Sequence, residues 1–160
     1  MYKHILIPTD GSELSKLAIQ DGVALAKALG ASVTAVTVTM PFNIVAIEGG
    51  MVTDTLEQYV KRMAGVAARY LGIAKTMATA SGVTCDVVHV ENEQVYQAII
   101  DTAQKRGCDV IVMASHGQRG IAGIVLGSET LKVLTHSIIP VVVCRRPYPT
   151  GFFNASFAAS

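Results

Sequence analysis

Apolar runs of strand length alternate along this chain with stretches in which apolar residues return every three or four positions. Residues 3–8 read as a buried strand around Ile5-Leu6-Ile7. A helix is predicted over residues 12–29, with Ser12 as N-cap, Leu14, Ala18, Val23, Leu25 and Leu29 among its apolar positions, and Gly30 as its stop. Residues 32–39 are β-branched and strand-like. A long second helix is predicted over about residues 54–80, because Leu56, Val60, Met63, Ala67 and Tyr70 fall on one helical face. Strand, helix, strand, helix and strand then follow over residues 83–90, 93–106, 109–114, 127–137 and 139–144.

This order, βαβαβαβαβ, restricts the architecture. Strands joined by helical crossovers run parallel, and their continuous apolar character predicts helices on both faces. The fold class expected is therefore α/β, a single-domain, doubly wound, five-stranded parallel sheet. Two segments stand outside the pattern. Residues 40–53 are apolar for a loop, around Ile44-Val45-Ala46-Ile47, and the tail, 147–160, carries Phe152, Phe153 and Phe157 among small and polar residues. The tail is either a frayed terminus or an arm that docks its aromatics on a partner or a groove.

Composition narrows the functional classes. With 160 residues, 51% apolar and 16% charged, the chain is a domain with a generous core. A net charge of +1 gives no electrostatic footprint for nucleic acid or an anionic membrane. Pro8 stops the first apolar run well short of a signal-peptide core, and no apolar run reaches the roughly 18 residues of a membrane span, so a cytoplasmic protein is expected. Cys85, Cys108 and Cys144 form no CxxC pair and read as reduced, buried thiols. His4, His89, His116 and His136 lack the short spacings of metal sites, so no protein-held metal is expected.

Candidate chemistry sits in two loops. In open parallel sheets, ligands bind beyond the carboxyl ends of the strands, where the winding reverses. Pro8-Thr9-Asp10-Gly11-Ser12 follows the first strand, and the glycine-rich stretch from Ala114 to Ser128 follows the fourth. Gly127-Ser128 opens the fourth helix, where unpaired N–H groups and the helix dipole attract a phosphate. Ser128 can donate its hydroxyl to a phosphate oxygen and also cap the helix, and Gly117 can supply positive φ or room for a ligand. His116 and Arg119 are the loop's own polar donors. Asp10 can accept from a ribose hydroxyl, or it can bond only local amides in an ordinary turn.

Tyr-Lys-His-Ile-Leu-Ile-Pro-Thr-Asp-Gly-Ser at 2–12, with Met-Ala-Ser-His-Gly leading to Leu-Gly-Ser, resembles the universal stress protein family. The resemblance covers residues 1–146 as one Rossmann-like, adenine nucleotide alpha hydrolase-like domain and leaves 147–160 as a tail. The family's ATP-binding members carry G-x-x-G, nine residues, then G-[S/T]; this chain meets the spacing through Gly117, Gly127 and Ser128, with Ala114 at the first glycine. If that position needed positive φ, alanine would cost about 1 kcal/mol or more there. The resemblance implies that Pro8, Thr9 and Asp10 face adenosine with Val38 against the base, and that Met113, Ala114 and Gly117 flank ribose and phosphates. It implies that Gly127, Ser128 and Glu129 hold the phosphates through main-chain N–H groups, with Mg or Mn riding on the ATP. It also implies a homodimer paired through residues 139–144.

The resemblance thus implies a stress-response, ATP-binding dimeric regulator. Its rivals are a family member that acts through protein contacts without nucleotide, and a slow ATPase. A Ser128, His116, Asp10 triad lacks any G-x-S-x-G elbow, and the P-loop signature is absent, so no catalytic residue is assigned.

Overall fold

The computed structural model describes residues 1–47, 55–117 and 126–145. Strand β1 spans His4–Pro8 and feeds helix α1 (Glu13–Leu29), whose first turn is closed by Ser12, the side chain accepting from the Ser15 N–H. Gly30 ends α1 in the left-handed region, φ 65°, which a glycine enters without steric cost. Strand β2 (Ser32–Thr39) leads to a short helix α2 (Phe42–Ile47), then α3 (Leu56–Ala80) begins at a capping box formed by Thr55 and Gln58. The remainder is β3 (Cys85–Glu91), α4 (Val95–Lys105), β4 (Val110–Ala114), α5 (Ser128–His136) and β5 (Val141–Cys144).

All four strand pairings are parallel, and the sheet order is β3-β2-β1-β4-β5. The doubly wound five-stranded α/β sheet expected from the sequence is the fold observed. Alternation along the strands divides the core in two. Ile5, Ile7, Val33, Ala35 and Val112 face α1 and α3, where Ala18, Ile19, Val23 and Leu71 meet them. Leu6, Val36, Ile111 and Met113 face α4 and α5, against Ile99, Ile100, Ala103 and Val133. Burying each such side chain contributes roughly 1.5–3 kcal/mol before the entropy of ordering it is subtracted.

Three features depart from the hydrophobic pattern. The segment expected to be a loop begins as helix α2, because Tyr59 draws it in: the Tyr59 hydroxyl donates to the Met40 carbonyl at 2.8 Å and its ring lies 5.4 Å from that of Phe42. Residues 48–54 lie outside the described residues, as does the tail, 147–160. On α3 the buried positions are Tyr59, Ala67, Leu71, Ala74 and Ala78, whereas Leu56 and Val60 from the expected apolar face are 59% and 46% exposed. Only the C-terminal half of α3 enters the core under the sheet, so the face chosen there is the one that counts. Finally, β3 is an edge strand with alternate residues exposed, so its apolar run does not mean cover on both faces.

Candidate functional site

Strands β1 and β4 are central neighbours, and the winding reverses between them: β2 and β3 lie beyond one, β5 beyond the other. Two crossovers that leave in opposite directions open a crevice at the carboxyl ends of these strands. The loops after β1 and β4, singled out in the sequence, therefore meet there.

The first loop is braced from within. Thr9 is buried; its N–H donates to the Val36 carbonyl at 2.9 Å and its own carbonyl accepts from Thr37 Oγ1 at 2.9 Å. Its hydroxyl meets Ser15 Oγ at 3.1 Å, and the Gly11 N–H donates to it at 3.3 Å. Thr9 is thus a strut, its N–H, hydroxyl and carbonyl each bonded within the protein. Beyond it, Asp10 Oδ1 accepts from the Ser12 N–H at 3.0 Å, an Asx turn that sets the carboxylate's direction.

That carboxylate touches the second loop. A methyl group on Gly117 would overlap Asp10 Oδ2 and stand 3.4 Å from its Cγ, so the carboxylate lies on the bare Gly117 backbone. Gly117 does not have positive φ, and the space beside its bare backbone is taken by the Asp10 carboxylate. Ala114 likewise does not have positive φ. Its methyl is buried in the core facing α1 and α3, and this residue carries no backbone strain.

The second loop is anchored at both ends. Ser115 donates its N–H to the Cys144 carbonyl at 2.9 Å, and its own carbonyl accepts from the Gly127 N–H at 2.7 Å. Thr130, buried in the first turn of α5, donates its hydroxyl to the Ala114 carbonyl at 3.0 Å. Sequence reasoning missed Ser115 and Thr130; a hydroxyl at each end of a glycine-rich loop was the available signal. Arg119, Gly120 and Gly123 lie outside the described residues.

Between these anchors sits the N-terminus of α5. Its N-cap, Gly127, has extended backbone (φ −71°, ψ 157°) and gives no side-chain hydrogen bond to the first turn. At α1, α3 and α4 a side chain does reach a first-turn N–H. Helices α1 and α3 cap themselves through Ser12 and Thr55, and the Tyr96 N–H of α4 donates to Glu129 Oε2 at 2.9 Å. The Glu129 carboxylate is thereby turned away to α4 and held by Lys132 at 2.9 Å, leaving its main-chain N–H at the helix start. First-turn N–H groups have no intrahelical partner, so Ser128, Glu129 and Thr130 present an electropositive cradle.

Pro8, Val38 and Met113 stand near the carboxyl ends of β1, β2 and β4. Met113 is buried and Val38 half-buried in the core layer of α4 and α5, and Pro8, two residues after Leu6, lies on the same face. These three positions line one face at the carboxyl ends of adjacent strands. His116 Nδ1 lies 3.2 Å from Ser115 Oγ, which is its hydrogen-bond partner rather than Ser128 or Asp10. Burial pushes the Cys108 thiol up to about 11 and the Cys144 thiol up to about 12, and raises Cys85, so none of the three is a ready nucleophile. Among the described residues no cluster of His, Cys, Asp and Glu could hold a metal ion, and no helix is long and apolar enough to cross a membrane.

Comparison with known proteins agrees with this architecture. Universal stress protein MJ0531 of Methanocaldococcus jannaschii is 32% identical over 149 residues, covering 92% of this chain and 84% of that protein. The solved structure of MJ0577 from the same organism superposes with a TM-score of 0.73 at 27% identity, covering 92% of this chain and 99% of the other. Two further structures share the fold at lower identity. A universal stress protein in complex with cAMP has a TM-score of 0.66 at 24% identity over 91% of this chain and 99% of its own. One from Archaeoglobus fulgidus in complex with dAMP has 0.65 at 19% over 90% and 98%. The family model of universal stress proteins matches residues 1–145, and the chain belongs to the universal stress protein family.

Proposed function

We propose that the chain binds an adenine nucleotide, ATP with Mg or Mn on its phosphates, and acts as a nucleotide-dependent dimeric regulator in a stress response. The observation that carries this reading is the start of α5: an N-terminus opened by a glycine, with no side-chain cap among the described residues, close to an oriented carboxylate. Phosphates fit the first-turn N–H groups of Ser128, Glu129 and Thr130, and a ribose hydroxyl fits Asp10. The base fits the apolar wall of Pro8, Val38 and Met113. Glu129 spends its carboxylate on α4, so it adds little repulsion to an arriving phosphate. The cation rides on the phosphates, as Mg²⁺ commonly does where one or two carboxylates and several waters suffice. The fold relatives solved with cAMP and dAMP support the adenine class of ligand.

The dimer pairs residues 139–144 across a two-fold axis. What supports it is position: β5 ends the sheet, and Val142, Ile138, Leu131 and Leu134 around it are exposed. An apolar open edge is a liability unless paired. Val142→Arg is expected to shift sedimentation to the monomer mass, and an unshifted dimer would move the interface elsewhere.

The nucleotide reading is tested by denaturing the purified protein, identifying any released small molecule, and titrating emptied protein with ATP and Mg²⁺ by calorimetry. Released adenine nucleotide, or saturable heat below millimolar concentration, supports it. An empty protein with no heat overturns it in favour of a member that works through protein contacts alone. Multiple ATP turnover that survives repurification and disappears in Ser128→Ala would make the protein a slow ATPase.

A further inference from the structure

The arch between Thr9 and Ser12 has an outside support. Gly11 lies at φ +77°, in the region that favours glycine. A methyl group on it would stand 2.6 Å from Tyr70 Cζ and nearer still to Cδ1 and Cε1, so the Tyr70 ring covers the Gly11 Cα. Two independent reasons thus exclude a side chain at position 11, one conformational and one steric. Tyr70 comes from α3, is half-buried, and carries the Arg69 guanidinium 5.4 Å from its ring centroid. Of the α3 side chains, it is the Tyr70 ring whose atoms come nearest to a methyl group built at position 11.

The two feet of the arch are fixed by Thr9, bonded to Val36 and Thr37, and by Ser12, the cap of α1. Asp10 and Gly11 form its crown. A glycine crown is intrinsically loose, since glycine has the most backbone freedom to lose on ordering. The ring beneath it removes the conformations in which the crown sags toward α3, and so aims the Asp10 carboxylate across the crevice at Gly117.

We infer that Tyr70 is a positioning residue for nucleotide recognition: its ring holds the Asp10-Gly11 crown so that the Asp10 carboxylate meets the ribose, without touching the ligand itself. This rests on the adenine nucleotide reading proposed above. Pre-ordering of this kind raises affinity by lowering the entropy lost on binding.

The full-length chain, as wild type, Tyr70→Ala, Tyr70→Phe and Gly11→Ala, is titrated with ATP and with 2′,3′-dideoxyATP in Mg²⁺, and each variant is melted. Wild type is expected to prefer ATP over the dideoxy analogue by roughly tenfold or more, the worth of a hydrogen bond to a carboxylate. Tyr70→Phe keeps the ring and the preference. Tyr70→Ala loses roughly tenfold in ATP affinity and almost none for the analogue, so the ratio collapses. A merely structural role would weaken both ligands alike. Gly11→Ala attacks the same contact from the other side and is expected to collapse the ratio too, which keeps the inference testable if Tyr70→Ala does not fold. A preserved ratio in Tyr70→Ala or in Gly11→Ala overturns the inference, as does a loss in Tyr70→Phe equal to that in Tyr70→Ala. A wild type that binds both ligands equally also overturns it and leaves nucleotide binding standing; a wild type that binds neither overturns the parent reading.

Discussion

Gly117→Ala adds a single methyl group at a position without positive φ, so its effect is steric and local. The methyl overlaps Asp10 Oδ2 and stands 3.4 Å from Cγ, and relieving the overlap moves the carboxylate by roughly 1 Å. The bond from the Ser12 N–H to Oδ1 is 3.0 Å long, and the same shift takes it past the limit of about 3.5 Å at which a hydrogen bond is lost. In the free protein the half-buried carboxylate turns toward water, so stability falls by less than about 1 kcal/mol, or roughly 2–4 °C in melting temperature. In the complex the misdirected carboxylate misses the ribose. A hydrogen bond to a charged group contributes about 1.5–3 kcal/mol, which is roughly a 10- to 150-fold rise in Kd. Calorimetric titration with ATP and Mg²⁺ of wild type, Gly117→Ala, Asp10→Ala and the double variant reads this directly. The double variant should bind no more weakly than Asp10→Ala, because both changes remove one interaction. Additive losses, or wild-type affinity in Gly117→Ala beside a loss in Asp10→Ala, would refute the reasoning.

Gly127→Val sets a Cβ 3.0 Å from His116 Cβ and 3.1 Å from His116 Cα, so the loop backbone must shift and strain the 2.7 Å bond from Gly127 to Ser115. ATP affinity should fall at least about tenfold with a small loss of melting temperature, and unchanged affinity would place the phosphates elsewhere. Thr130→Val deprives the Ala114 carbonyl of its buried partner and should cost about 1–3 kcal/mol in urea unfolding; a neutral result would mean the carbonyl finds another donor. The thiols, raised above their ordinary value of 9.0, stay protonated when folded, so between pH 9 and the folded values of about 11 and 12 the unfolded chain binds fewer protons. Stability therefore falls as pH rises through that window, and the urea midpoint should drop between pH 8 and 10.5. Fast native labelling of all three thiols at pH 8 would contradict their burial.

The sequence by itself determined the order of the five strands and the four longer helices, because helical and strand periods differ, whereas α2, six residues long, is too short to show a period. From that order came parallel strands, a doubly wound sheet and loops facing each other at a reversal. It also determined local closures that depend on neighbours in the chain: Ser12 caps α1 and Gly30 ends it. Tertiary structure decided what depends on residues distant in sequence. Position in the sheet made β3 an edge, which exposes Asp86, Val87, His89 and Glu91 on a strand that also carries Val88 and Val90. The half of α3 that reaches the core chose Leu71, Ala74 and Ala78 over the stripe that starts at Leu56. Proximity across the crevice explained Gly117, whose bare backbone makes room for the Asp10 carboxylate, and it sent the Glu129 side chain to α4. Periodicity records which face of an element is apolar, whereas a contact between loops more than a hundred residues apart is fixed only when the sheet brings their strands together.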